Sequence, residues 1–263
     1  MRPLDRPRQL IASAIALLLV CIVNFAPSSS TSTAYASPGQ RSRTLSSGVG
    51  HLCAIGTEGG PRCGGANEFG QNGEGTTETR GQLTSVGSET DWLTVSAGNR
   101  ITCGIREVSG GRGTLWCWGA NDFGQLGVGT VDPHSTPVQV GTGSNWVTVS
   151  TGLDHVCAIR AIGDLYCWGH NSHGQLGLID PPGADVLEPQ RVASEKRWSR
   201  VEAGFQSTAA VDVEGRLWTW GFNDAGQLGD ETTIDRYLPI QVGVDSDWLE
   251  PIPTRPSPWS GPP

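Results

Sequence analysis

The chain of 263 residues has one methionine, little lysine and no run of basic residues; Lys and Arg number 18 against 26 Asp and Glu, a formal charge of −8. Phosphate backbones are bound through clustered cations, so this balance excludes a nucleic-acid partner. Catalytic signatures are missing as well. There is no G-x-S-x-G elbow, no H-E-x-x-H pair and no carboxylate pair placed as acid and base. No C-x-x-C spacing occurs, so no metal site is expected, and nothing calls for a cofactor. Asn-x-Ser/Thr triplets do not occur, which leaves no glycan acceptor.

Long apolar runs are also scarce. The one present, residues 11–23, follows Arg2, Arg6 and Arg8 and precedes Ala34, Tyr35 and Ala36, the small-any-small pattern at which signal peptidase cuts. It falls short of the roughly 20 residues of a spanning helix, and no second run follows. Cys21 follows the bulky Val20, a poor site for lipid attachment. The expectation is a signal peptide over 1–36, a short linker over 37–43 and a secreted or extracytoplasmic mature chain with no membrane span. Residues 1–36 hold Arg2, Arg6, Arg8 and Asp5, so their removal takes the charge from −8 to −10.

Glycine, by contrast, is abundant, and it recurs in register. "PRCGGANEFGQNGEGT" (61–76) returns as "TLWCWGANDFGQLGVGT" (114–130), "DLYCWGHNSHGQLG" (164–177) and "RLWTWGFNDAGQLG" (216–229). The fixed positions are Gly65, Gly70 and Gly73; Gly119, Gly124 and Gly127; Gly169, Gly174 and Gly177; and Gly221, Gly226 and Gly229. The first glycine advances by 54, 50 and 52 residues, and Trp92, Trp146, Trp198 and Trp248 form a second ladder of the same pitch. A phosphate-cradling loop is needed once, before a helix, whereas this element occurs four times with no helical pattern after it. Repetition makes these structural turn glycines, supplying positive φ and close backbone approach.

Between the glycine turns the chain alternates apolar and polar residues. "NWVTVSTG" (145–152), "DHVCAIR" (154–160) and "DLYCWG" (164–169) read as three strands. A short strand then opens with proline, in "PVQV" (137–140), "PQRV" (189–192) and "PIQV" (239–242). Four short antiparallel strands in about 52 residues match one blade of a β-propeller.

The ordered words Trp, "VSAG" or "VSTG", His-x-Cys-Ala-Ile, "LWCWG" or "LYCWG" and "N-x-x-GQLG" resemble the repeat of the regulator of chromosome condensation family, over residues 44–250. The resemblance implies an all-β propeller, here about four units (44–96, 97–150, 151–202 and 203–250), followed by a proline-rich tail over 251–263. Rings of that family usually have seven blades, so four units imply an incomplete or open arc, whose exposed faces and edges invite self-association. Unit one is degenerate, with Gly64 in place of the repeated tryptophan and Asn72 in place of leucine, as terminal repeats often are. The resemblance also implies the guanine nucleotide exchange activity of the nuclear founding member, against which export and negative charge both speak. A hydrolase or lyase on a propeller scaffold is the further alternative, disfavoured by the missing acid and base.

Six cysteines follow the signal, in pairs: Cys53 and Cys63, Cys103 and Cys117, Cys157 and Cys167. In unit four both partners are replaced together, by Ala209 and Thr219. If the strands form a hairpin, residue numbers summing to 324 face one another in unit three, and 157 meets 167. Four extra residues in unit two lengthen the hairpin without moving its cysteines apart. Disulfides are expected, rather than a metal cluster.

Few other residues suggest chemistry. "GHNSHG" (169–174) places His170, Ser172 and His173 in one turn, but no orienting Asp is implied, and a solvated turn is the expectation. His51 and His155 are matched by Ile101 and Ser207 elsewhere, which argues against a metal ring. Trp118, Trp168 and Trp220 repeat in phase as core, with Trp116 and Trp218 on the opposite face. Scaffold residues repeat and binding residues need not, so the varied loops 107–113, 130–136, 178–188 and 230–237 are the candidates for recognising a protein or glycan partner. Neutral drift would vary them too. The function expected is a non-enzymatic, exported binding scaffold.

Overall fold

The computed structural model describes residues 44–179 and 183–248. The expected signal peptide, linker and tail lie outside them. The described chain is all strand and turn: β1 (Leu45–Ser47), β2 (His51–Ile55), β3 (Pro61–Gly65), β4 (Arg80–Ser85), β5 (Trp92–Ala97), β6 (Ile101–Ser109), β7 (Arg112–Gly119), β8 (His134–Gln139), β9 (Trp146–Thr151), β10 (His155–Arg160), β11 (Leu165–Gly169), β12 (Val186–Arg191), β13 (Trp198–Ala203), β14 (Ser207–Asp212), β15 (Leu217–Gly221) and β16 (Arg236–Gln241).

Each run of four strands pairs antiparallel with its neighbours and makes one blade. A single bridge, Gly113 to Trp146, joins blades two and three into a nominal eight-stranded sheet. It exists because the four extra residues of unit two carry the β6–β7 hairpin further out. That segment, 107–113, is therefore mostly strand rather than loop, turning at Gly110 and Gly111 with a register shift between Glu107 and Ser109. Blades begin at Trp92, Trp146 and Trp198, one strand before the sequence divisions at 97, 151 and 203. The period is the same whichever strand is counted first.

The core lies between blades. Cys53, Ile55, Cys63 and Val86 of blade one meet Trp92, Val95 and Trp118 of blade two. The same layer recurs twice, closed by Trp146 with Trp168 and by Trp198 with Trp220. Burying a tryptophan removes roughly 200 Å² from water, worth about 5 kcal/mol in transfer terms before ordering costs. Among the described residues the fourth layer holds Val211, Leu217 and Val242, with Ala209 and Trp248 against them. Inner strands pack in sequence, β2 on β5, β6 on β9 and β10 on β13. The blades thus form an arc.

The prolines sit elsewhere than expected. Pro137, Pro189 and Pro239 occupy the fourth position of β8, β12 and β16 rather than the first. These are outer strands whose pairing breaks register nearby, between Cys117 and Gly119 in blade two, so no ladder amide is lost.

Because strand direction alternates, connections after the first and third strands of each blade emerge at one end. Those after the second and fourth emerge at the other. The glycine turns and the varied loops 130–136, 178–188 and 230–237 therefore share one end, and 107–113 lies at the opposite one.

Candidate functional site

The shared end is built on four copies of one turn, in the connections 66–79, 120–133, 170–179 with 183–185, and 222–235. In the second copy the buried Asn121 accepts the Leu126 amide at 2.9 Å and donates to the carbonyls of Thr130 and Asp132 at 2.8 and 2.9 Å. The side-chain oxygen of Gln125 accepts the Phe123 amide at 2.9 Å. Asn67 with Gln71, and Asn223 with Gln227, repeat these bonds. Asn171 and Gln175 keep the amide-accepting half. Buried amide side chains fix each loop from within, so its remaining residues are free to vary.

All twelve repeated glycines have φ between +69° and +112°. Close approach is decisive at Gly70, where a Cβ would come within 2.5 Å of Ser135 Cα in the next blade. Trp118, Trp168 and Trp220 donate their indole N–H to the carbonyls of Gln71, Gln125 and Gln175 in the preceding blade, each at 2.9 Å. Trp116 and Trp218 lie on the other face, only partly buried, Trp116 under Arg106 and Trp218 under Lys196.

Two interfaces carry an additional bond. His51 Nε2 lies 2.7 Å from Thr102 Oγ1, and His155 Nε2 lies 3.0 Å from Thr208 Oγ1. Both threonine hydroxyls donate onward, to Gln71 O at 2.8 Å and Gln175 O at 2.7 Å. They must then accept from the imidazole, which fixes the Nε2–H tautomer and leaves each buried Nδ1 without a partner. Burial lowers His51 to about 4 and His155 to about 3, the charge of His170 adding to the latter. Among the described residues no group of His, Cys, Asp or Glu is placed to hold a metal.

The four glycine-turn connections contain eleven Asp or Glu and no Lys or Arg, and Arg100, in the connection after β5 at the same end, pairs with Asp154 at 3.3 Å and lies 4.0 Å from Asp122. Glu68, Asp122, Asp132, Asp224 and Glu231 are exposed. Others are fastened: Asp230 accepts from Thr232 and Arg236, and Glu74 from Thr76 and Arg80.

The turn at 170–173 differs from expectation, because an orienting carboxylate is present. Asp185 Oδ1 lies 2.8 Å from His170 Nδ1, and His170 Nε2 lies 2.8 Å from Ser172 Oγ. The carboxylate comes from the far end of the same connection, and the turn's own hydrogen bonds bring it round. Three observations make this a turn fastening and not a nucleophilic site. Asp185 accepts the Asn171 amide, and Asp235 does the same for Asn223 in blade four, where Phe222 and Asp224 replace His170 and Ser172. The amide following Ser172, the usual oxyanion donor, is already given to Gln175 at 3.0 Å. His173 is engaged with Asp235 at 2.8 Å.

Each cysteine pair stands directly across its hairpin, with Cα atoms 4.1, 4.0 and 4.2 Å apart, well inside the roughly 7 Å beyond which no disulfide forms. In blade four Thr219 instead donates its hydroxyl to Leu228 O at 2.7 Å.

The family model of the regulator of chromosome condensation (RCC1) repeat matches residues 112–159, 163–211 and 214–250, and a second RCC1 repeat model matches 146–175. The ultraviolet-B receptor UVR8 of Arabidopsis thaliana is 31% identical over 134 residues, 49% of this chain and 30% of that protein. The chain thus spans less than a third of this curated relative. Among solved structures, Prp20p of Saccharomyces cerevisiae superposes with a TM-score of 0.68 at 20% identity, covering 76% of this chain and 50% of that one. Human WBSCR16 gives 0.67 at 20% identity, covering 81% and 55%. At this identity the structural likeness concerns the fold alone.

Proposed function

Since the chain belongs to the RCC1 repeat family, we propose that it is an exported, non-enzymatic propeller arc that binds a protein through the loops of its turn end. Family relatives support the class: UVR8 is named a receptor, and the structure of Prp20p is described with its binding to Gsp1p and histones. Three cysteine pairs fit an oxidising compartment, where we take them to be disulfides. A reduced, nuclear exchange factor has no use for them.

The observation that carries the reading is the contrast within each turn. Buried Asn and Gln hold the loop rigid, while the exposed positions vary and the charged ones among them are acidic, with Arg100 at the same end engaged by Asp154 and Phe69. Preorganised loops lose little entropy on binding, and a predominantly negative field selects a cationic partner surface. The probe for this is poly-L-lysine, with poly-L-glutamate as control. Neutralising Asp122, Asp132, Asp224 and Glu231 together should weaken poly-L-lysine binding about tenfold, steeply with salt. Neutralising Glu89, Glu195 and Asp245 at the opposite end should change it little. Equal weakening from both ends would remove the assignment to the turn end. Intact mass of secreted material, beginning at Ser37 and six hydrogens light before reduction, tests compartment and disulfides separately.

A further inference from the structure

At the end opposite the turns, blades two, three and four each lay a guanidinium over aromatic rings, and one of the three has no counter-ion. In blade two Arg106 lies 5.9 and 5.2 Å from the ring centroids of Trp92 and Trp116 and is forked by Asp91, Nε to Oδ1 at 3.0 Å and Nη2 to Oδ2 at 3.2 Å. In blade four Arg216, 5.9 Å from Trp218, donates from Nε to Asp212 at 2.7 Å. In blade three Arg160 lies 4.6 Å from Trp146 and 4.5 Å from Tyr166, whose rings meet at 76° with centroids 5.5 Å apart. Among the described residues no carboxylate pairs with it, and its Nε is buried without a partner. Trp146 Nε1 is also buried and unpartnered, and both side chains border Gly143, where a Cβ would stand 3.3 Å from Arg160 Nη2 and 3.5 Å from Trp146 Nε1. Trp92 and Trp198 leave their indole N–H unpartnered too. The bare guanidinium is what sets blade three apart.

The connection leading into each first-strand tryptophan accounts for the difference. Three residues before Trp92, Trp198 and Trp248 stand Glu89, Glu195 and Asp245, and one residue before them stand Asp91, Arg197 and Asp247. Before Trp146 the same places hold Gly143 and Asn145, and the connection 140–145 carries no charge at all. Arg106 and Arg160 each follow their tryptophan by fourteen residues, so Asn145 is the neutral counterpart of the aspartate that forks Arg106. Other carboxylates do not make good the loss. Asp164, whose carbonyl accepts the Arg160 amide at 2.9 Å, gives its carboxylate to Arg191 at 2.6 Å and Arg197 at 3.3 Å. Glu107, at the exposed end of β6, makes no ion pair among the described residues.

We propose that Arg160 binds a carboxylate from outside the chain, in the place that Asp91 takes beside Arg106. A guanidinium held between two rings is fixed in plane and offers paired N–H donors, the geometry that matches two carboxylate oxygens. Carboxylate is the anion that the same framework already holds in blade two. A chain of formal charge −8 repels polyanions, so the ligand carries one carboxylate: the free C-terminus of a peptide or a small monocarboxylic acid. The partly buried Tyr166 gives its apolar body a ring to lie on. This site shares no residue with the turn end and does not depend on what binds there.

Nitrogen-15 labelling of arginine in the full chain makes the Nε–H groups visible by NMR, and the resonance lost in Arg160→Lys is that of Arg160. The probes are sodium acetate and N-acetyl-trialanine with a free C-terminus, against the trialanine amide and sodium sulfate at equal ionic strength. Both carboxylates should move the Arg160 resonance saturably, while the amide leaves it in place and Arg106, whose carboxylate is built in, stays put. Tighter binding of the peptide assigns the ligand to a chain terminus, and tighter or equal binding of acetate assigns it to a small acid. Asn145→Asp copies the Asp91 arrangement, so the fold has a precedent for it; the variant should shift Arg160 without ligand and weaken acetate binding about tenfold or more. No saturable shift with either carboxylate, an equal shift at Arg106, tighter saturation by sulfate, or undiminished binding in Asn145→Asp would each overturn the proposal.

Discussion

Acid should open two of the three blade interfaces and spare the middle one. His51 and His155 are neutral where they sit, each donating from Nε2 to a threonine whose own hydrogen is spent on a glutamine carbonyl. A second proton would land on a buried Nδ1 that has no acceptor. In the unfolded chain both imidazoles titrate near 6.5; in the fold they do so at about 4 and about 3. The unfolded state therefore binds more protons below pH 6.5. The stability these residues preserve is complete above that value and is lost as pH falls toward the folded values. Each tenfold drop in proton affinity on folding is worth about 1.4 kcal/mol, so the losses come to about 3 kcal/mol for His51 and about 5 kcal/mol for His155 when titration is complete. By pH 5 about 2 kcal/mol is gone from each, a large part of the roughly 5–15 kcal/mol that holds a domain together.

The molecule supplies its own control. Ile101 and Val156, neither of which titrates, occupy the corresponding positions between blades two and three. Replacing His51 and His155 by Ile, with Thr102 and Thr208 by Val, should give all three interfaces that form. Denaturant titrations at pH 7.5 and pH 5 read the difference. Wild type should lose about 4 kcal/mol between them and the fourfold variant little. A variant as acid-sensitive as wild type would show that the blade interfaces are not where the protons act.

Much of this architecture is written in the sequence because each blade offers its residues the same environment as the last. Repetition of Trp118, Trp168 and Trp220 records three equivalent burials, and the paired replacement of cysteines by Ala209 and Thr219 records the opposition seen in β14 and β15. The registers of the hairpins, 157 with 167 and 158 with 166, follow from the same arithmetic. Contacts that do not repeat are illegible. Asp185 reaches His170 from fifteen residues away through a connection whose length is its own, so no periodicity announces it. The His51–Thr102 and His155–Thr208 bonds span 51 and 53 residues, between one blade and the next. A signal does exist: threonine follows wherever the preceding blade has histidine, and valine where it has isoleucine, a correlation visible only when each unit is compared with its successor. The prolines lie inside their strands and not at the start because a strand start and a register break forgive the missing amide equally well.

Blade four suggests how each cysteine pair can be tested without leaving a hole. Cys157→Ala with Cys167→Thr copies Ala209 and Thr219, and should cost about 2–3 kcal/mol in denaturant titration, the loop-closure value for a short loop. A loss that vanishes when wild type is titrated in reductant confirms the bond as its source, and no loss at all means that the pair is not joined. The last expectation concerns Ser172, whose hydroxyl meets His170 and, through it, Asp185. A serine activated for attack needs both a base and amides free to receive the oxyanion, and here the following amide is committed to Gln175 while Asn171 N is held by Asp185. A fluorophosphonate probe should therefore leave Ser172 unlabelled on intact-mass and peptide analysis, at the level of any surface serine. Stoichiometric labelling that disappears in H170A and D185N would reverse the assignment and make this turn a hydrolytic centre.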